Sequence, residues 1–290
     1  MRFSQIRAFH FVATHQGFSA AAAALAVSQP VISEQVRQLE AEYEVLLFTR
    51  DRKRVQLTAA GERLVIQTTR LFEIYDQIGD TLSENRAALA GRLRILADSA
   101  HHLGDRIEAF RARHPGVQIH LKTGNTADII AALRNYEAEI GVVGSTAPGP
   151  DMDVVDLGTA PIVGMVARAY PGLGADDGAP LALSLAEIAA HPVILRETGS
   201  KTRQMIEEAA ARAKLLLRPA VEVEGRDAMR EIVAAASGIG FVSEAEFGHD
   251  ARLRKIHIKG ADLAMGEALI CLRQRRDMRS IRAFMGLGSV

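Results

Sequence analysis

A short segment near the N-terminus carries hydrogen-bonding side chains on one helical face. Gln29, Ser33 and Arg37 recur every four residues, while the opposite face of the same segment is apolar. Amide, hydroxyl and guanidinium groups are the donors and acceptors that distinguish base edges in the major groove of DNA. We therefore predict a helix from about Gln29 to Glu40 that contacts DNA. Its candidate contact residues are Ser28, Gln29, Pro30, Ser33, Glu34 and Arg37.

A second group of side chains is basic and lies a few residues further on. Four cations occur close together, interrupted by Asp51: Arg50, Arg52, Lys53 and Arg54. Apolar residues on both sides predict two short strands around a charged tip, which would bind phosphates without regard to base sequence. Alone, such a cluster is more typical of a solvated turn. The chain has 35 basic and 35 acidic residues, so any attraction to nucleic acid must be local.

Short helices must position the polar face. Residues 3–15 have apolar positions at helical spacing, Gly17 ends that helix, and Ser19 is expected to cap the next. After a short break, Pro30 suits the first turn of a third helix, where its missing N–H costs nothing. Two short helices joined by a tight turn, the second with a polar outer face, indicate a helix-turn-helix. The basic cluster that follows is then best explained as a wing.

A long helix is predicted after the wing, from Ala59 to about Leu89, with Thr58 as its cap. Apolar residues recur along one side of it: Leu64, Leu71, Tyr75, Ile78 and Leu82. A solitary helix of this length must bury such a stripe against another surface, and a second copy of itself is the most economical partner. We therefore predict that this helix holds a homodimer together.

From Gly91 onward, strand patterns such as LRILA, VQIHLK, PIVGMVA, PVILR, GIGFVS and EALICLR alternate with helical patterns. This alternation predicts an α/β architecture with mostly parallel sheets. The glycine- and proline-rich stretches 145–151 and 171–180 are expected to be surface loops. The length of the region suits two small lobes better than one sheet. The predicted fold class is therefore α/β, preceded by a mostly helical winged helix-turn-helix.

Other classes of protein are disfavoured by what the sequence lacks. The single cysteine, Cys271, forms no disulfide framework and favours a reducing cytoplasm. The N-terminus lacks the apolar core of a signal peptide, and no run approaches the ~20 apolar residues that span a bilayer. The chain also lacks a P-loop, a dinucleotide loop and a nucleophile elbow, so an α/β enzyme or a solute-binding protein is a remote alternative. His101 and His102 are a poor chelating pair, and we expect no metal, cofactor or catalytic residue.

Residues 9–61 resemble the LysR-type transcriptional regulators. The matching residues are Phe18, Ser19, Ala21, Ala22, Ser28, Gln29, Pro30, Gln38, Leu39, Glu40, Leu47, Phe48, Arg50, Leu57, Thr58, Ala60 and Gly61. Later segments such as RARHPGVQIHLKTGN, GVVG and VAAASGIGFVS fit the family's effector domain, so the resemblance covers essentially the whole chain. It implies a DNA-binding regulator that works as a homodimer or homotetramer on a duplex operator, with RNA polymerase as a further partner.

The resemblance also implies domain boundaries. They are 1–58 for the winged helix-turn-helix, 59–90 for the linker helix and 91–290 for a two-lobed, periplasmic-binding-protein-like effector domain. Lobe 1 would comprise 91–160 and 267–290, and lobe 2 would comprise 161–266. Many family members carry a basic residue in place of Glu34. Here the carboxylate would either accept a hydrogen bond from cytosine N4 or repel the DNA backbone.

Polar residues at helix starts would face the cleft between the lobes in the family's topology. Helix N-termini present free N–H groups and the positive end of the helix dipole, so they favour a small anion such as a carboxylate or a phosphonate. Lys201 or Arg203 would add positive charge, and Asp98 or Glu197 would receive an amine. The same residues could serve only as helix caps. The candidate effector-binding residues are Asp98, Ser99, His101, Asn125, Thr126, Glu197, Ser200, Lys201, Thr202, Arg203 and Ser243.

Shorter matches narrow the expected effector. The segments RAFHFVA, FRARHPGV, LRETGSKTR, SEAEFG and CLRQR look like the LysR-type branch associated with 2-aminoethylphosphonate catabolism. This likeness implies 2-aminoethylphosphonate or a related phosphonate as the effector, and a carboxylate effector is the alternative.

Overall fold

The computed structural model describes residues 1–51, 54–82, 89–101, 103–145, 147–173 and 180–287. The chain divides into two compact units, Met1–Ala87 and Ala88–Val290. No described helix is both long enough and apolar enough to cross a membrane.

The N-terminal unit is a helical domain with a two-stranded ribbon. Its elements are α1 (Phe3–Thr14), α2 (Phe18–Ala24), α3 (Gln29–Glu42), β1 (Phe48–Asp51), β2 (Arg54–Leu57) and α4 (Ala59–Leu82). The strands pair antiparallel, which confirms the predicted wing. The core joins the first three helices to the ribbon through Phe9, Val12, Ile32, Val36 and Phe48, all at least 95% buried.

Local sequence features explain where these helices begin. Thr58 Oγ1 accepts a hydrogen bond from the Gly61 amide at 3.1 Å, as the predicted cap of α4 should. A Cβ on Gly61 would lie 2.3 Å from the carbonyl oxygen of Leu47, so only glycine fits there. The expected cap at Ser19 was wrong, because α2 already begins at Phe18 with Gly17 as its N-cap.

The predicted linker helix, Ala59 to about Leu89, can be described only in part. Helix α4 is described to Leu82, residues 83–88 lie outside the described residues, and Ala90 already begins a strand. The C-terminal unit therefore starts its first strand at the end of the range predicted to be linker.

The C-terminal unit alternates strands and helices. Its elements are β3 (Ala90–Ala97), α5 (Gly104–Arg113), β4 (Gly116–Thr123), α6 (Thr126–Arg134), β5 (Ile140–Val143), β6 (Met152–Ala167), β7 (Leu181–Ser184), α7 (Leu185–Ala189), β8 (Val193–Arg196), α8 (Lys201–Arg212), β9 (Pro219–Val223), α9 (Arg226–Ala234), β10 (Gly240–Ser243), β11 (Leu253–Lys259), β12 (Ala264–Leu272) and α10 (Arg279–Met285).

Strand β6 connects two lobes. Its first part, up to Pro161, pairs with β12 in a sheet of order β4-β3-β5-β12-β6, which we call lobe 1. Its second part, from Ile162, pairs with β10 and β11, which together with β7 and the β8-β9 pair form lobe 2. Each lobe has its own hydrophobic core, around Phe110 and Phe284 in lobe 1 and around Ile188 and Ile206 in lobe 2.

The sheets are mixed rather than mostly parallel. Strand β12 runs antiparallel to both β5 and β6, and β10 and β11 run antiparallel to β6. The sequence pattern predicted the strand PIVGMVA, but β6 begins nine residues earlier, at Met152, where exposed and half-buried residues alternate. Because β12 runs antiparallel to β6 from the boundary between the lobes at Pro161, the sheets cannot be wholly parallel.

Candidate functional site

Helix α3 presents the predicted polar face. Its inner residues Ile32, Val36 and Leu39 are at least 97% buried, which holds the opposite face outward. On that face the Nε2 of Gln29 donates to the Oγ of Ser33 at 2.7 Å, and Pro30 is exposed beside them. Ser28 occupies the N-cap position, but its side chain makes no cap hydrogen bond within the described chain. The hydroxyl therefore remains suited to a phosphate contact.

Glu34 and Arg37 form a bidentate ion pair on the same face. Arg37 donates from Nε and Nη2 to the two carboxylate oxygens at 2.8 and 2.7 Å, and Gln38 donates to Oε1 at 2.8 Å. The hydrogen bonds from Arg37 and Gln38 lower the pKa of Glu34 to about 2. The carboxylate thus accepts from both side chains, while the Arg37 side chain remains 63% exposed.

We expect Arg37→Ala to abolish preference at one base pair of each half-site, a loss of about 1–3 kcal/mol of discrimination. Glu34→Gln should weaken the same preference, because Gln keeps one acceptor but loses the charge that holds the guanidinium. Selection from random duplex DNA, followed by competition binding, measures both effects. Arg111→Ala, which removes an exposed cation from the other unit, is the control. Unchanged base preference in Arg37→Ala would exclude Arg37 from base contact.

The wing is described only in part. Arg52 and Lys53 lie outside the described residues. The backbones of Arg50 and Arg54 are described, paired with Val55 and Asp51 respectively. Their contact with phosphate stays a prediction.

An apolar stripe is exposed on α4. Its members are Leu71, Ile74, Tyr75 and Ile78, which are 37%, 53%, 59% and 54% exposed. The stripe differs from the prediction, because Leu64 packs against the core of the N-terminal unit and Ile74 takes a place in the exposed row. The side chain of Leu82 lies outside the described part. Large apolar residues clustered in this way on a surface mark an interaction site.

Two adjoining cavities lie between lobe 1 and lobe 2 and share the walls Ser99, Arg196, Arg226 and Asp227. The smaller has a volume of about 130 Å³. We call the two together the effector cleft. Of the predicted effector residues, six line it: Asp98, Ser99, His101, Asn125, Glu197 and Thr202.

The charged centre of the effector cleft is a bridge between the lobes. Asp98, at the end of β3 in lobe 1, accepts from Arg196 of lobe 2 at 3.3 and 3.4 Å. Its other oxygen accepts from Nη2 of Arg226, the first residue of α9, at 3.0 Å. The Arg196 residue is only 4% exposed. One carboxylate of lobe 1 thus holds two guanidinium groups of lobe 2.

Glu197 completes the pairing of Arg196. It accepts from Nε and Nη2 of Arg196 at 2.8 and 2.7 Å and from the amide of Gly225 at 3.2 Å. Burial raises the pKa of Glu197, but the Arg196 hydrogen bond and backbone donors outweigh it and lower the pKa to about 2. Burial likewise lowers the pKa of Arg196, yet Glu197 and Asp98 leave it above its ordinary value. Both predicted amine acceptors, Asp98 and Glu197, are therefore engaged by arginines.

The other five predicted effector residues do not line the effector cleft as described. Thr126 accepts from the Gly144 amide, and Ser200 accepts from the Arg203 amide as the cap of α8. Lys201 donates to Gln204 on its own helix. Arg203 pairs with Glu207 and Glu222 and donates to the Arg196 carbonyl, so its charge is already paired. Ser243 is fully buried.

Residues that the sequence reasoning missed supply most of the charge. They are Arg196, Arg226, Asp227, Arg230 and Glu246. One available signal was the arginine that ends the otherwise apolar strand VILR, since a buried cation requires a partner. The arginines of α9 resemble ordinary helix-surface residues in sequence, so no local signal distinguished them.

The described residues offer little support for metal binding or for thiol chemistry. No group of three or more His, Cys, Asp and Glu side chains within them could hold a metal ion. Burial raises the pKa of the Cys271 thiol to about 12, so this residue packs in the lobe 1 core as a protonated side chain.

Comparison with known proteins assigns both parts of the chain to the same family. Residues 3–62 match the bacterial regulatory helix-turn-helix proteins of the lysR family, and residues 86–287 match the LysR substrate binding domain. A RuBisCO operon transcriptional regulator from Allochromatium vinosum is 28% identical over 241 residues, covering 82% of this chain and 78% of that protein.

Two solved structures have a similar fold. A full-length OxyR variant from Pseudomonas aeruginosa has a TM-score of 0.75 at 20% identity, covering 98% of this chain and 93% of its own. Full-length CbnR in complex with its target DNA has a TM-score of 0.64 at 22% identity, covering 98% and 97%. Since the two family matches together span nearly the whole chain, the protein belongs to the LysR family of DNA-binding transcriptional regulators and is not an enzyme.

Proposed function

We propose that this regulator binds a small anion in the effector cleft and thereby changes how a homodimer or homotetramer holds its operator. The observation that carries the proposal is the presence of three guanidinium groups, from Arg196, Arg226 and Arg230, on the walls of one small cavity. Guanidinium forks bind carboxylates and phosphonates through paired, charge-assisted hydrogen bonds. A regulator of transcription must reach the chromosome, so the proposal places the protein in the cytoplasm.

The charges on the cavity wall are not equally engaged. Arg230 donates to the backbone carbonyls of Glu246 and Phe247, both at 2.9 Å, and these partners carry no charge. Arg196 reaches Asp98 only through bonds of 3.3 and 3.4 Å, longer than its bonds to Glu197. An incoming anion can therefore attract Arg230 and compete with Asp98 for Arg196.

Displacement of Asp98 by the anion would couple anion binding to the arrangement of the two lobes. Asp98 belongs to lobe 1, whereas Arg196 and Arg226 belong to lobe 2, so an anion that replaces it exchanges a direct link between lobes for a ligand-mediated one. A ligand can change a conformational equilibrium only if it binds the two arrangements unequally. This exchange supplies such a difference.

The finer proposal is that the anion is 2-aminoethylphosphonate or a related phosphonate, with a carboxylate as the alternative. The resemblance of several short segments to one branch of the family supports the phosphonate. The remaining partners follow from the family: α3 and the wing on the operator, the α4 stripe on a second copy, and RNA polymerase at the promoter.

Thermal melting of the full-length protein tests the anion site. The panel contains 2-aminoethylphosphonate, ethylphosphonate, propanoate, acetate and inorganic phosphate. A ligand at about 100 times its Kd should raise the Tm by roughly 5–10 °C, because it stabilises the folded state by ~2.7 kcal/mol. A shift with phosphonates alone supports the finer proposal, and a shift with propanoate alone supports a carboxylate effector. No shift with any of these anions would contradict the anion site.

A further inference from the structure

One carboxylate, that of Glu246, lines the smaller cavity, and a purely anionic ligand could not donate a hydrogen bond to it. Glu246 lies in the turn after β10, lines the cavity beside Arg226, and is 91% buried, as its 9% exposure shows. Its Oε2 forms an ion pair with Nη1 of Arg226. Its Oε1 accepts a hydrogen bond from no donor in the described residues. A buried acceptor therefore belongs to a residue in the wall of a cavity that three arginines also line.

The surroundings make this acceptor costly to leave without a donor. Apolar side chains form part of the same wall: Met165, Met229, Phe241 and Val242. In such low-dielectric surroundings a buried carboxylate oxygen without a donor loses the hydration it had in water. A ligand that was only an anion would leave Oε1 unsatisfied and would also be repelled by its charge.

We propose that the effector is a short zwitterion, whose ammonium group donates to Oε1 of Glu246 while its anionic group binds the arginines. This inference rests on the proposed anion site and names the class of its ligand: an amino acid in the broad sense, with a carboxylate, phosphonate or sulfonate at one end. The small volume, about 130 Å³, restricts the ligand to a short chain. The other carboxylates at the centre, Asp98 and Glu197, already accept from Arg196 and Arg226.

Matched pairs of ligands test the inference on the parent protein. Each pair differs only by the amine: 2-aminoethylphosphonate against ethylphosphonate, 3-aminopropanoate against propanoate, and 2-aminoethanesulfonate against ethanesulfonate. Titration calorimetry should give an affinity at least ~10-fold higher for the aminated member of whichever pair binds, since a hydrogen bond to a charged group is worth that much or more.

The variant Glu246→Gln identifies the acceptor. It keeps the size of the side chain and removes its charge, so the preference for the aminated ligand should fall to within about twofold while the amine-free ligand binds at least as well as before. Glu244→Gln is the matched control, because Glu244 lies in the same turn but pairs with Lys255 at 2.7 Å outside the cavity lining. This control should keep the parent's preference.

The outcomes separate the two proposals. Equal binding of aminated and amine-free anions by the parent overturns the zwitterion inference and leaves the anion site standing. A preference that persists in Glu246→Gln overturns the assignment to Glu246. Absence of binding by every ligand overturns the anion site, and the inference with it. The comparison of matched ligands uses the parent protein alone. It therefore tests the zwitterion inference even if Glu246→Gln folds poorly.

Discussion

Ile78→Asp is expected to convert the protein to a monomer and to weaken binding to a full operator by roughly 100-fold or more, because two linked reading heads bind far more tightly than one. Ile78 is 54% exposed and lies in a row with Leu71, Ile74 and Tyr75 on α4. A charge placed in a self-association surface must be desolvated when the surface is buried. The same residue is exposed in the single chain, so the variant should fold.

Sedimentation of the pure protein measures the oligomeric state, and gel shift on duplexes selected by the parent measures operator binding. Leu216→Asp is the matched control, since Leu216 is 73% exposed and lies outside the stripe. It should behave as the parent does. If Ile78→Asp remained a dimer and bound the selected duplex as the parent does, the α4 stripe could not be the dimer interface.

Arg196→Gln should reduce anion binding by more than ~100-fold and destabilise the C-terminal unit by roughly 3–5 kcal/mol, the usual cost of breaking a buried ion pair. Arg196 donates to both Asp98 and Glu197, so its loss leaves two carboxylates without their common partner. The affinity should fall because one wall of the cavity loses its most buried guanidinium.

A second variant separates stability from binding. Asp98→Asn combined with Arg196→Gln removes one charge of each sign, so it should recover part of the lost Tm without recovering anion binding. Arg252→Gln is the control: its ion pairs with Glu231 and Asp250 are at the surface and should contribute little. Calorimetric titration that showed undiminished anion affinity in a folded Arg196→Gln single variant would remove Arg196 from the site.

The DNA-binding unit could be predicted in detail because its determinants are local. Helix spacing, the cap at Thr58 and the glycine at position 61 each act within a few residues or on an adjacent turn. The polar face of α3 follows directly from the burial of its opposite face. The same pattern could not show that Glu34 engages Arg37, since several side-chain arrangements satisfy the same spacing.

The sequence predicted a cleft between two lobes, but only six of the eleven predicted effector residues line the cleft in the structure. Helix starts can be predicted from capping residues. However, the hydroxyl of a cap such as Ser200 can already accept a hydrogen bond from its own helix. The central contacts join residues far apart in sequence, 98 positions between Asp98 and Arg196 and 128 between Asp98 and Arg226. No local pattern encodes such a pairing.

By itself, the sequence determined the helix-turn-helix, the wing, the apolar stripe and the family, because each depends on periodicity or on a contiguous motif. The tertiary structure decided which side chains of the stripe stay exposed, how β6 and β12 join the lobes, and which charges meet at Asp98. These depend on packing between distant segments, where burial selects one arrangement among many that the local pattern allows. Oε1 of Glu246, which has no donor among the described residues, belongs to the same class, since only the folded chain shows which donors are within reach.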